Sequence, residues 1–287
     1  MKNRIIALLT WAFYLVTAFS CFGTESEPTH QRFKSSIQSR SLGETNVKLL
    51  AFADSSSVRV EMRMQAQEES RNVLHAKISK IGTQTDPLWK GQLNELTSHT
   101  EDVLHSITHI EGLEPHLWSP ENPNLYRLTV ELENAKGEVS RKSIRFGFRS
   151  FESENGQLLL NGKPIFLRGL AINPPNRTIP DSVSEKRPFV ESYIGYLKSI
   201  NVNIIRMHHA SQIWFDVCDE MGMMVYQGRY GDPPGDKGVV SPSKKNEFEE
   251  TIDAYKKEVF EPLVNHPSVI VYVLANELPS EDIPYLN

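Results

Sequence analysis

The hydrophobic period of this chain changes near Leu158, and no single kind of layer accommodates both patterns. Before that point apolar residues tend to recur at every second position, most strictly in Val58-Arg59-Val60-Glu61-Met62-Arg63-Met64. Such alternation gives each strand one dry and one wet face, as in an antiparallel sheet. Residues 47–52, 125–132 and 139–146 read as further strands, the last two joined through Asn134-Ala135-Lys136-Gly137, a hairpin turn whose glycine supplies positive φ. Beyond Leu158, short apolar runs alternate with amphipathic stretches of helical period.

Residues 45–151, with turn signals at short spacing, fit an immunoglobulin-like β-sandwich. In the second region Asn161-Gly162-Lys163-Pro164 is a tight turn between residues 158–160 and a strand over 165–169. Helices are expected at 188–199, opened by a proline, at 211–221, closed by Gly222, and at 244–264. Strands are expected at 202–207, 223–226 and 269–274. Strand, helix, strand, helix implies a parallel sheet. Residues 152–287 therefore read as the first four β/α units of a (β/α)8 TIM barrel, since a closed barrel needs about 250 residues.

Val269-Ile270-Val271-Tyr272-Val273-Leu274 is apolar without alternation, as strands buried on both faces are. At its carboxyl end, where α/β barrels gather catalytic groups, stand Asn276 and Glu277. A glutamate at a strand end is more commonly a solvated loop residue, so the dipeptide alone is a weak sign. Arg168, Arg206, His209 and Gln227 also fall at or near strand ends; each could line a pocket, or brace a carboxylate or backbone group instead. Trp214 and Cys218 sit in a helical pattern and read as core.

A formal charge of −5 with no basic stripe argues against nucleic acid as a partner. Lys2 and Arg4, an apolar run and then small polar residues make residues 1–23 a secretory signal, the run being short of the roughly 20 residues of a membrane span. No stable span is expected in the mature chain, which would be secreted or periplasmic. Lipoprotein anchoring at Cys21 is the alternative, though the usual aliphatic residue three positions earlier is missing. Residues 24–44 read as a linker or remnant. Cys21 and Cys218 are the two cysteines, too few for a disulfide framework. His208 and His209 with Asp216 and Asp219 raise a metal site, but adjacent strand residues point to opposite faces, so neither metal nor cofactor is expected.

Four stretches, in order, resemble glycoside hydrolase family 2, the group of β-galactosidases, β-glucuronidases and β-mannosidases. They are Leu117-Trp118-Ser119-Pro120-Glu121-Asn122-Pro123-Asn124-Leu125-Tyr126; Phe146-Gly147-Phe148-Arg149-Ser150-Phe151 with Leu160-Asn161-Gly162-Lys163-Pro164-Ile165 and Leu167-Arg168-Gly169; Asn203-Ile204-Ile205-Arg206, His209 and Phe215-Asp216-Val217-Cys218-Asp219-Glu220-Met221-Gly222; and Asn265-His266-Pro267-Ser268-Val269-Ile270 through Asn276-Glu277. The resemblance implies a β-linked carbohydrate substrate and a retaining mechanism with two carboxyl groups about 5 Å apart. Glu277 would be the general acid and base, and Asn276 would hydrogen-bond the sugar's 2-hydroxyl. The nucleophile it implies is a second Glu on the seventh strand, beyond the four strands read here. An incomplete enzyme, inactive alone, is therefore expected; the alternative is a secreted, non-catalytic carbohydrate-binding or interaction module.

The family pattern is broken in three places. Arg168-Gly169-Leu170-Ala171-Ile172-Asn173 stands for Arg-Gly-x-Asn-x-His, His209-Ala210-Ser211 for His-Tyr-Pro, and Gln227 for an acidic residue. The last leans toward the β-mannosidase branch, but together these changes leave the sugar open.

Overall fold

The computed structural model describes residues 47–65, 73–100, 103–133, 137, 139–172, 179–207, 210–227, 253 and 255–273. Among the described residues its first region has eight strands: β1 (Val47–Ala53), β2 (Val58–Gln65), β3 (Val73–Lys80), β4 (Trp89–Gln92), β5 (Thr97–Thr100), β6 (Val103–Ile110), β7 (Tyr126–Glu133) and β8 (Val139–Phe146). They form two antiparallel sheets, ordered β1-β2-β6-β5 and β4-β3-β7-β8. The alternation explains the core between them. Val47, Leu49 and Ala51 from β1, Val58, Val60 and Met62 from β2, and Leu128 and Val130 from β7 all turn inward. Burying each large aliphatic side chain contributes about 1.5–3 kcal/mol.

Sequence pattern showed only four of these strands. The others carry polar residues on the solvent side, such as His75 and Lys77 in β3, or are short and hydroxyl-rich like Thr97-Ser98-His99-Thr100. The expected wet face of β2 is a second difference. Glu61 is buried there, between Arg59 and Arg63. Phe52 of β1 stacks on Phe260 with ring centroids 6.2 Å apart, and the Ala51 amide donates to Asn265 Oδ1 at 2.8 Å. The sheet's outer face is thus covered in part by the second region.

A small antiparallel sheet follows, β9 (Phe151–Glu154), β10 (Gln157–Leu160) and β11 (Lys163–Pro164), in the order β11-β10-β9. The strand expected over 165–169 begins later. It is β12 (Gly169–Ala171), which pairs in parallel with β13 (Ile204–Met207), then β14 (Met224–Gln227) and β15 (Val269–Tyr272). The helices are α1 (Asp181–Ser184), α2 (Arg187–Ser199), α3 (Gln212–Met221) and α4 (Glu261–Leu263), the last preceded by a π-helical turn, Lys256–Phe260. Of the helix expected over 244–264, residues 244–252 lie outside the described residues.

Proline in its first turn starts α2, which buries Val190, Ile194 and Leu197 against the sheet. Helix α3 buries Trp214, Phe215, Val217 and Cys218, the core placement their spacing implied. It stops at Gly222, whose φ of +69° suits glycine and where a Cβ would run into the Pro120 carbonyl.

Candidate active site at the carboxyl ends of the barrel strands

Parallel strands give a sheet two unlike ends. In α/β barrels the carboxyl ends carry chemistry and the amino ends carry stability. Glu277, Asn276 and His209 belong to segments just past the carboxyl ends of β15 and β13, and all three lie outside the described residues. The described part of this end is built from Arg206, Tyr226 and Gln227.

Arg206 shares a face of β13 with Ile204, which packs with Met224, Ile270 and Trp118 on the side of the sheet away from the helices. Its register partner is Tyr226, and its guanidinium carbon sits 5.8 Å from that ring's centroid. A cation over an aromatic face is held in place without losing its charge. Tyr226 was not singled out in the sequence, where it ends an apolar strand like any core residue; its signal is the pairing with Arg206, which needs the register. Gln227 follows a different course. Period two puts it on the face of Val225, and its ladder partners are Met207 and Tyr272, so the buried side chain belongs to the helix side of the sheet.

Arg168 is at the other end. It precedes β12, so it lies at the strand's amino terminus rather than its carboxyl end. Its Nε donates to the Asn201 carbonyl at 2.8 Å, and its backbone amide donates to Asn203 Oδ1 at 2.8 Å. Both bonds tie the entry of β12 to that of β13, a bracing role that its position dictates.

The amino ends hold a polar cluster against the sandwich. Asp219 of α3 accepts from His266 Nδ1 at 2.6 Å on one carboxylate oxygen, and from the Ser268 hydroxyl at 2.6 Å and amide at 3.1 Å on the other. With the His266 proton on Nδ1, Nε2 accepts from the Gln212 amide at 2.6 Å. The serine bonds the aspartate and not the histidine, so nothing in this trio activates a hydroxyl as a nucleophile.

From the sandwich, Arg145 reaches Asp219 at 3.2 Å and Asp216 at 2.5 Å, and Trp118 Nε1 donates to the Asp219 carbonyl at 2.8 Å. Arg149, another residue no sequence feature singled out for a role, donates to the carbonyls of Pro267 at 2.6 Å and Val269 at 2.5 Å. Burial lowers its pKa from the ordinary guanidinium value, against the pull of Tyr272 and Asp219.

Asp216, Asp219 and His266 bring one ligand atom each within 4.8 Å of one another. The geometry does not suit a metal ion, because Arg145 already supplies the positive charge between the two carboxylates and Ser268 takes the remaining Asp219 oxygen. His208 and His209, weighed as ligands above, lie outside the described residues.

Residues 34–149 match the family model for glycosyl hydrolases family 2, and residues 151–283 match the model for that family's TIM barrel domain. The chain belongs to glycosyl hydrolase family 2. A β-galactosidase of Priestia megaterium is 34% identical over 186 residues, 59% of this chain and 17% of that protein. Among solved structures, a family 2 member from Bacteroides cellulosilyticus superposes with a TM-score of 0.61 at 21% identity, covering 83% of this chain and 33% of its own. A Bacteroides uniformis β-glucuronidase does so with a TM-score of 0.60 at 22% identity, covering 81% and 28%. The family 2 chain thus spans under a fifth of the curated relatives it matches, at 17% and 18% of their lengths. Its sandwich and the start of its barrel are those of the family.

Proposed function

We propose that this chain carries the acid/base side of a retaining β-glycosidase site. The observation that carries the reading is the direction of β15: the parallel sheet runs Val269–Tyr272 toward its carboxyl end, and Asn276-Glu277 follow within the matched barrel region. Glu277 protonates the leaving oxygen and then, as a base, activates water. The mechanism's second carboxylate, about 5 Å across the scissile bond, forms and releases the glycosyl-enzyme. Asn276 bonds the 2-hydroxyl, a contact that strengthens as the oxocarbenium character grows. Arg206, set against Tyr226, presents positive charge to the same end, with His209 in the segment that follows β13. The names of the relatives favour a β-galactoside or β-glucuronide as substrate, and the amino-terminal signal favours export.

The test has two steps. Reading the gene past Asn287 is expected to reveal an open frame with four more strand–helix units and a glutamate at the end of the seventh strand. A stop at that point would overturn the enzyme reading and leave a carbohydrate-binding module. In the enzyme so encoded, Glu277→Gln should lower kcat/KM for an alkyl β-glycoside by about 100-fold or more, while sparing an aryl glycoside whose leaving group needs no proton. Equal loss on both substrates would move the acid role to another residue.

A further inference from the structure

A cleft of about 500 Å³ opens between the outer face of the first sandwich sheet and the π-helical turn before α4. Among the described residues its charged lining is Lys48, Arg63, Lys256 and Lys257 against Asp253 and Glu261. Glu261 does not cancel the lysines of the turn, because it is already engaged. It pairs with Lys48 and accepts from Arg63 Nη1 at 2.7 Å, with a side chain only 7% exposed. Burial opposes its charge, yet hydrogen bonds from Lys48 and Arg63 hold its carboxyl below the usual range. Lys256 and Lys257 are exposed and adjacent, and neither has an ion-pair partner among the described residues. They sit on a π-helical turn, a rare element that recurs at functional sites.

We propose that this cleft binds an anionic saccharide, its sulfate or uronate groups held by Lys256 and Lys257 and its chain laid along the junction of the two regions. The saccharide part rests on the glycosidase reading above, while the anionic part rests on the cleft alone. A protein of net charge −5 repels a polyanion over most of its surface, so a local cationic cleft is where one would settle. Junctions between domains are also where ligand clefts concentrate.

The test is calorimetric titration of the 287-residue chain with low-mass dextran sulfate, unmodified dextran and inorganic sulfate. Dextran sulfate is expected to bind, and the Lys256→Ala, Lys257→Ala double variant to weaken it at least tenfold. A matched control is available on the other sheet, where Lys77 and Lys90 face each other across β3 and β4, exposed and outside the lining of this cleft. Their double alanine variant should bind as the parent does. Equal weakening by both pairs, or no binding by the parent, would overturn the site. Inorganic sulfate binding as tightly as the sulfated chain would overturn its saccharide character and leave the Glu277 reading untouched.

Discussion

The two ends of the barrel sheet differ in where their described polar residues come from. At the amino end Asp219 is a closed account of donors and acceptors: His266, Ser268, Arg145 and Trp118 all converge on that one residue, and the sandwich provides two of them. At the carboxyl end the polar residues come from separate strands and the segments after them, with Arg206 set on Tyr226 and Glu277 following β15. A buried network that satisfies itself has nothing left to offer a substrate. The Asp219 network fits the stabilising role that the amino ends of barrel strands have in α/β barrels.

The sharpest way to break that contrast is Asp219→Ala. It strands the His266 proton and the Ser268 hydroxyl while Arg145 keeps Asp216 and Glu220, and each buried donor left unsatisfied costs about 1–3 kcal/mol. Urea unfolding should report a loss of that size. Arg206→Ala at the other end should cost less, because its guanidinium rests half-buried on the Tyr226 ring whereas the Asp219 carboxylate is almost wholly buried. Comparable losses from the two variants would mean that the ends do not differ as described.

Trp118→Phe sharpens the picture within the amino end. It keeps most of a fully buried ring but deletes the donor to the Asp219 carbonyl, leaving an acceptor unsatisfied at a cost of about 1–3 kcal/mol. Gly222→Ala tests the neighbouring contact, where α3 ends against the Pro120 carbonyl. Positive φ and the obstructed Cβ act in the same direction, so a loss of about 1 kcal/mol or somewhat more is expected in the same assay. A neutral result would show that the loop around Pro120 yields freely.

The two ends were also unequally legible in the sequence. Helix periods, Gly222 as a stop, and Trp214 and Cys218 as core residues could be read because each depends on neighbours within a few positions. Half of the sandwich strands could not, since their outward residues are polar and several are short. The amino-end network was invisible for a different reason. Arg145, Arg149, Asp219 and His266 are separated by up to 121 positions along the chain, and no local pattern distinguishes a charge that will meet its partner across a domain junction from one that will face water. Arg168 shows the same limit in miniature: the family motif located it, but only the register of β12 against β13 shows which end of the strand it occupies.

The smallest effect concerns Glu261, where the sandwich meets the barrel's helix side and not either strand end. Its folded-state pKa is lowered from the ordinary 4.5 by Lys48 and Arg63, overcoming the opposing effect of burial. A carboxyl whose folded pKa lies below its unfolded one contributes stability that is complete above the unfolded value and lost as pH falls through the folded value. The difference in unfolding free energy between the parent and Glu261→Gln should therefore be constant near neutral pH, shrink as pH drops below about 5, and vanish in stronger acid. Both cationic partners are partly exposed, which limits the size of the effect through solvent screening. A difference that instead grew with falling pH would mean that burial, not Lys48 and Arg63, governs this carboxyl, and the floor of the cationic cleft would then lose its pairing.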